Sequence, residues 1–262
     1  MAVPVHQLRA YVAHLRHAGT RHSVHSPFVY DLVERALRRT ADPPSFPDVE
    51  ALRKALQRDP RTISVEDHGA GSHRFNGTGR RVADIARTAV KPRRQAEMLH
   101  RIVRWAGPKT LLELGTSLGL TTLYLARGPA SAHVVTIEGS PEIHAIAKHN
   151  FAQIGQANIT PLLGNFRDQL PKVLASIDQL DFVFIDGHHA QEPTLAYFEQ
   201  CLTKAHDDTV LVLDDIHWSP GMEEAWRAVQ AHPRVTVTVD LFKFGLVFLR
   251  KEQQREHFVL RY

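Results

Sequence analysis

From about residue 92 onward, the chain alternates short apolar runs with segments of helical periodicity, and this alternation restricts the folds open to it. The pattern is typical of βαβ units, in which crossover helices join parallel strands. Seven candidate strands are Thr110–Leu114, His133–Glu138, Ile159–Leu163, Phe182–Asp186, Val210–Asp214, Val235–Asp240 and Gly245–Arg250. The helices between them are predicted at about residues 119–127, 141–154, 167–177, 191–205 and 221–231. The sequence therefore predicts an α/β fold with a mostly parallel sheet.

The last two candidate strands are separated only by residues 241–244, too few for a crossover helix. They must therefore form an antiparallel hairpin at the end of the sheet. Dinucleotide dehydrogenase domains continue with parallel strands instead, so this hairpin argues against that class.

The residues before this pattern form a distinct N-terminal segment. Apolar residues at helical spacing predict one helix around Leu8–Leu15 and a second after Ser26-Pro27. A linker is predicted at residues 41–47, and a polar glycine-rich loop at 66–79 is interpreted as a mobile loop or a lid. We expect residues 1–91 to form a helical and lid segment and residues 92–262 to form the α/β domain.

Composition indicates an ordinary globular protein, with 43% hydrophobic and 23% charged residues. Cys201 is the only cysteine, so no intramolecular disulfide can form, and a reducing compartment, the cytoplasm, is expected. No apolar run approaches the roughly 18 residues that a membrane span requires, so no membrane association is expected.

Basic residues are concentrated between Arg80 and Arg104, in a chain whose net charge is +4. Such a cluster can bind the phosphates of a nucleic acid, or it can be a solvated helix face. No aromatic platform or nucleic-acid motif accompanies the charge, which favours the solvated face.

The segment from Leu111 to Gly119 runs from an apolar strand through a turn of small residues into a helix. In an open α/β sheet such a turn lies at the carboxyl end of its strand, where ligands bind. Gly115 and Gly119 lack a Cβ and allow a ligand to approach the backbone closely. Their spacing is Glu-x-Gly-x-x-x-Gly, which departs from the Gly-x-Gly-x-x-Gly of pyrophosphate-binding turns. Glu113 would repel a pyrophosphate but suits a ligand with an ammonium and a sulfonium group, contacted directly or through water.

Glu138 closes the next strand, where this fold places an acid that accepts hydrogen bonds from ribose hydroxyls. A helix-capping or surface role is the alternative. Together with the glycine turn and the terminal hairpin, Glu138 indicates a nucleoside cofactor.

Over about residues 92–250 these features resemble the class I S-adenosylmethionine-dependent methyltransferases. Glu113, Gly115 and Gly119 match the first motif of that family, and Glu138 matches its ribose-binding acid. The resemblance implies a Rossmann-like, seven-stranded sheet and S-adenosylmethionine as cofactor. The remaining residues expected at the cofactor are Thr116, Ser117, Gly164, Asn165 and Asp186. Asn165 stands where many members carry an aspartate near the adenine.

Three acids follow two neighbouring candidate strands. Asp186 ends the fourth strand, and Asp214 and Asp215 end the fifth. Adjacent strands lie about 4.8 Å apart, so the carboxylates should converge, and their repulsion must be relieved by a proton, a cation or a cationic ligand. Hard oxygen ligands suit magnesium, calcium or manganese, so Asp186, Asp214 and Asp215 are predicted metal ligands. Alternatively, Asp186 contacts cofactor or substrate, Asp214 caps a loop and Asp215 is solvated.

The acid pattern resembles the metal-dependent O-methyltransferases of the catechol and macrocin types, which bind their ion with acids at these strand ends. His189, three residues after Asp186, stands where catechol-type enzymes carry a catalytic lysine. A neutral imidazole can accept a hydroxyl proton near physiological pH, so His189 and Asp186 are the candidate catalytic residues. Local hydrogen bonding or metal ligation are the alternatives for His189.

The resemblance implies methyl transfer to a hydroxyl group of a small molecule with the assistance of Mg²⁺ or another divalent ion. One alternative is a catalytically silent nucleoside-binding module. Another is an RNA methyltransferase that uses the basic region 80–104, although the Asn/Asp-Pro-Pro-Tyr/Phe motif of amino methylation is missing after the fourth strand. A homodimer is also considered.

Overall fold

The computed structural model describes residues 5–38, 45–65 and 79–261. The predicted glycine-rich loop, apart from Gly79, and most of the predicted linker lie outside the described residues. The described residues form ten α-helices: α1 Val5–His17, α2 Pro27–Leu32, α3 Pro47–Leu56, α4 Val82–Thr88, α5 Arg93–Ala106, α6 Leu120–Ala126, α7 Pro141–Ile154, α8 Phe166–Ser176, α9 Gln191–Leu202 and α10 Pro220–Ala231. The strands are β1 Thr62–Ser64, β2 Gly79–Arg81, β3 Thr110–Leu114, β4 His133–Glu138, β5 Ile159–Leu163, β6 Leu180–Ile185, β7 Ala205–Asp214, β8 Val237–Asp240, β9 Phe244–Phe248 and β10 Glu256–Val259.

The central sheet has eight strands in the order β10-β8-β9-β7-β6-β3-β4-β5. All neighbouring strands pair in parallel except β9, which is antiparallel to both β7 and β8. The predicted α/β class, the mostly parallel sheet and the C-terminal hairpin are confirmed. The predicted number of seven strands is one short, because β10 adds a parallel edge strand beside β8.

The strands that were missed have little apolar patterning. In β10 only Phe258 is buried, and the short hairpin of β1 and β2 buries Ile63 alone. The strand β7 begins at Ala205, earlier than the predicted Val210, since the polar residues 206–208 carry no strand signal. Short edge strands of this kind are defined by backbone pairing with their neighbours and not by their own side chains.

The N-terminal helices share the core of the sheet. Val29 and Leu32 are fully buried in one cluster with Phe184 of β6 and Val212 of β7. The predicted helix start at Ser26-Pro27 is confirmed, with the Val29 N–H donating to Ser26 Oγ over 3.4 Å. The second helix is shorter than its periodicity suggested, because a π-helical turn follows at Val33–Leu37.

Helix α1 turns most of its apolar side chains outward, and its buried residues are Ala10 and His14. Exposed side chains include Val5 and Leu8, with 65% and 54% of their surface accessible. Among the described residues no helix has both the length and the apolar character needed to cross a bilayer.

Candidate active site

The turn after β3 is pressed against the end of β6. Gly115 has a φ of 107°, and a Cβ at this position would lie 2.0 Å from the carbonyl oxygen of Asp186. The Asp186 N–H in turn donates to the Leu114 carbonyl over 2.9 Å. A side chain at residue 115 would therefore force the two chain segments apart. Gly115 holds the predicted cofactor turn and the predicted catalytic acid side by side.

Gly119 begins α6 with a φ of 80°. A Cβ here would lie 2.5 Å from the ring of Phe151 on α7. Helix packing therefore requires a residue without a side chain at this position, and the close approach of a ligand to Gly119 stays a prediction.

Glu138 lies at the carboxyl end of β4, next to β3, and is half-buried. Its Oε2 accepts the Ser117 N–H over 2.9 Å, and its Oε1 accepts the Ser140 N–H over the same distance. The carboxylate thus joins the turn after β4 to the cofactor turn, where the Ser117 backbone has a φ of 48°. This is the edge of the sheet where a ribose is predicted to bind.

Glu113 has no exposed surface. Its Oε2 accepts hydrogen bonds from the hydroxyls of Thr122, over 2.5 Å, and Thr136, over 2.7 Å. The Thr136 hydroxyl also lies 2.6 Å from Thr116 Oγ1, so Thr116 belongs to this buried network. Burial raises the pKa of the Glu113 carboxyl to about 7. Glu113 supports the turn through these buried hydrogen bonds, and its contact with a cofactor, directly or through water, stays a prediction.

Gly164 and Asn165 follow β5, beside the end of β4. The Gly164 N–H donates to the Glu138 carbonyl over 2.9 Å. Asn165 caps α8, with its Oδ1 accepting the Asp168 N–H over 2.9 Å. The predicted contact of Asn165 with the adenine stays a prediction, and its capping role explains the residue without a ligand.

The carboxylates of Asp186, Asp214 and Asp215 meet at the ends of β6 and β7, as the strand order requires. A cation lies among them. Nζ of Lys91 is 3.2 Å from Asp186 Oδ1 and also contacts Asp214 Oδ2. Nζ of Lys243 lies 2.9 Å from Asp215 Oδ1. Two lysines of the chain itself therefore relieve the predicted repulsion.

The charges in this cluster are tightly linked. Burial raises the pKa of Asp214, and the neighbouring Asp186 raises it further. Although burial opposes it, the attraction of Lys91 and Lys243 lowers the pKa of Asp215. Burial also opposes the charge of Lys91, yet Asp186 and Asp214 raise its pKa. The Lys91 ammonium is therefore permanently charged at neutral pH.

The role of Lys91 was not predicted from the sequence, because this residue lies in the basic region 80–104, which was interpreted as a solvated face. The side chain is only 12% exposed and points into the cleft from the residue before Pro92 and α5. No local pattern marks this contact, because its partners follow strands far along the chain.

His189 lies beside the cluster, with Nε2 3.7 Å from Asp186 Oδ1 and its ring facing Trp218 at a centroid distance of 6.2 Å. Potential metal-binding atoms of Asp186, His189 and Asp214 lie within 4.8 Å of one another. Asp215 was predicted as a metal ligand, but its Oδ1 contacts Lys243.

This arrangement, an enclosed glycine turn beside a strand-end acid cluster, agrees with comparisons to known proteins. A family model described as a methyltransferase domain matches residues 112–216. The catechol O-methyltransferase of Sus scrofa is 32% identical over 132 residues, covering 47% of this chain and 69% of that protein. The chain belongs to the class I S-adenosylmethionine-dependent O-methyltransferases. The catechol O-methyltransferase of Mycobacterium tuberculosis (strain ATCC 25618 / H37Rv) is 30% identical over 136 residues, 51% of this chain and 60% of that protein.

The fold of this O-methyltransferase family member also matches a solved structure. The O-methyltransferase from Bacillus cereus, crystallised in complex with SAH, has a TM-score of 0.55 at 24% identity, over 62% of this chain and 84% of that one. The chain spans between 53% and 69% of the length of the catechol O-methyltransferases that it matches. The family model, over residues 112–216, includes the cofactor turn and the acid cluster.

Proposed function

We propose that this protein binds S-adenosylmethionine and transfers its methyl group to a hydroxyl group of a small molecule. The observation that carries the proposal is the contact of Gly115 with Asp186, because it puts the cofactor turn and the acid cluster at one edge of the sheet. Family membership supports the cofactor, and the names of the relatives support oxygen as the methylated atom.

The proposed reaction is a nucleophilic displacement in line with the carbon–sulfur bond of S-adenosylmethionine. The acceptor oxygen forms a bond to the methyl carbon while the bond to sulfur breaks, which leaves S-adenosylhomocysteine. Catalysis then depends mainly on holding the oxygen about 3 Å from the methyl carbon. The hydroxyl proton passes to a nearby base, for which Asp186 and His189 are the candidates.

Lys91 determines how a divalent ion fits this cluster. Its Nζ lies between the carboxylates of Asp186 and Asp214, where an ion bound by both would have to lie. With Lys91 in this position the carboxylates do not fit a divalent ion. The ammonium instead supplies a fixed positive charge beside the acceptor oxygen. Metal binding at Asp186, Asp214 and Asp215 stays a prediction, to be tested against this alternative.

Calorimetry with S-adenosylmethionine, in Mg²⁺ and in EDTA, tests the binding of the cofactor. Cofactor binding is expected under both conditions, and its absence would overturn the methyltransferase proposal. Methylation of a panel of hydroxylated small molecules, beginning with catechol because relatives are named for it, is then followed by mass spectrometry. Equal rates in Mg²⁺ and EDTA support the role of Lys91, and a rate that requires Mg²⁺ supports the metal prediction.

The RNA methyltransferase alternative receives no support from the basic region. Arg93 pairs with Glu97 over 2.6 Å, and the buried Arg101 donates to the Ala36 carbonyl over 2.8 Å. Arg101 is therefore buried away from phosphates, and the exposed Arg93 is already paired with a carboxylate. RNA binding that weakens on substitution of Arg93 and Arg94 would restore this alternative. The cytoplasmic location, the division at residue 91 and a homodimer stay predictions.

A further inference from the structure

A second cluster of metal-binding side chains lies outside the acid cluster. It joins His14 of α1, His217 of the loop after β7 and Asp240 at the end of β8. His14 Nδ1 is 3.2 Å from Asp240 Oδ1, and His217 Nε2 is 2.8 Å from Asp240 Oδ2. The three potential ligand atoms lie within 4.8 Å of one another. Two imidazoles and one carboxylate thus converge from three separate elements.

The cluster is largely enclosed. His14 and Asp240 are 7% and 6% exposed. Nδ1 of His14 is buried and faces Asp240, yet it makes no hydrogen bond of acceptable geometry. A buried nitrogen left without a hydrogen bond costs about 1–3 kcal/mol, and an ion bound by both His14 and Asp240 would remove that cost.

The second ring nitrogen of His217 also has a partner. Its Nδ1 lies 3.0 Å from Glu223 Oε1 on α10. A histidine that binds a metal typically donates its second ring N–H to a carboxylate, which fixes the tautomer and the ring orientation. With the proton on Nδ1, the lone pair of Nε2 points toward Asp240. Glu223 therefore occupies the position of the carboxylate that supports a metal-bound imidazole.

Phe242 restrains the donor groups. Its ring stacks on that of His217 at a centroid distance of 5.2 Å and meets the His14 ring edge-on at 5.5 Å. Its backbone N–H donates to Asp240 Oδ1 over 2.7 Å. These contacts hold the three side chains in place before any ion arrives, and this lowers the entropy lost on binding.

We propose that His14, His217 and Asp240 bind a zinc ion. The two nitrogens and one carboxylate oxygen are donors that zinc prefers, and three protein ligands leave a fourth position for water. A cavity of about 640 Å³ borders His14, Phe242 and Lys243 on one side of the cluster. The ion fastens α1 to the sheet. This site shares no residue with the acid cluster, and the proposal is independent of the methyl-transfer reaction.

The test uses the full chain, dialysed against zinc and then against zinc-free buffer. We expect one zinc per chain, and X-ray absorption at the zinc edge should show imidazole nitrogen among the ligands. His14→Gln should abolish stoichiometric binding, and Glu223→Gln should weaken it about 10–100-fold. Two controls should keep the zinc: His17→Gln, an exposed histidine on the same helix, and Asp214→Asn, in the acid cluster.

Three outcomes would overturn the proposal. The first is wild-type protein without zinc, which would leave His217 held between Asp240 and Glu223 by a proton alone. The second is a zinc spectrum with oxygen ligands only, and the third is equal zinc content in His14→Gln and wild type. Circular dichroism checks that His14→Gln folds. If it does not, the wild-type absorption spectrum and the Glu223→Gln affinity decide.

Discussion

Nζ of Lys91 lies 3.2 Å from Oδ1 of Asp186, so a residue that precedes the whole α/β unit neutralises acids at the edge of its sheet. The same ammonium contacts Asp214, which is 2% exposed. Helix α5 begins two residues later, at Arg93. The position of the Lys91 ammonium among the acids therefore depends on how α5 packs against the sheet.

Replacing Lys91 by methionine should destabilise the protein. The change leaves Asp186 and Asp214 without their cation, and removing one partner of a buried pair costs about 3 kcal/mol or more. Urea unfolding at neutral pH measures the difference from wild type. The exposed Lys148 of α7 provides a matched control, Lys148→Met, for which we expect little change. Equal losses in the two variants would show that Lys91 is not a structural cation.

Gly115→Ala should weaken both folding and cofactor binding. The new Cβ would lie 2.0 Å from the Asp186 carbonyl oxygen, so the cofactor turn must move away from β6. Gly155→Ala is the control, because Gly155 also has a positive φ, of 72°, but no atom within 4 Å of an added Cβ. The control should lose only the roughly 1–2 kcal/mol of backbone strain. Calorimetric affinities for S-adenosylmethionine that fall equally in both would contradict the assigned contact.

Glu138→Gln should weaken the binding of S-adenosylmethionine about tenfold or more, or ~1.4 kcal/mol. The substitution removes the charge that a ribose hydroxyl would bind. Glu142→Gln is a suitable comparison, because Glu142 also accepts a backbone N–H, from Ser64 over 3.1 Å, but is not expected at the cofactor. Isothermal titration of both variants measures the effect. A similar change in each would argue against a ribose contact at residue 138.

His100 should make the fold sensitive to acid. The ring is buried, with Nδ1 3.0 Å from the Tyr124 carbonyl, and burial lowers the pKa of His100 to about 4. The unfolded chain takes up the proton near pH 6.5, so this contribution to stability is complete above that pH. It is lost as the pH falls toward 4, and the loss amounts to about 3 kcal/mol.

His100→Gln keeps a donor for the Tyr124 carbonyl but cannot take up the proton, so its stability should fall less over the same range. Urea unfolding at several pH values compares it with wild type and with His149→Gln, a change at an exposed histidine of α7. A wild-type curve that runs parallel to that of His100→Gln would disprove the assignment.

The sequence alone predicted the α/β class, the terminal hairpin and the meeting of Asp186 with Asp214 and Asp215. The strands and helices are predicted from periodicity within short windows of the chain. The meeting of the acids then follows because neighbouring parallel strands end at the same edge of the sheet. The bounds of β3, β4 and β5 were predicted without error for the same reason.

The groups that surround these features depend on tertiary packing. It buried Glu113 beneath its own turn, brought Lys91 to the acids and joined His14 to Asp240. It also added β10, whose residues carry almost no apolar pattern. Contacts between side chains far apart in sequence arise from the packing of whole helices and strands, and local sequence patterns do not predict them.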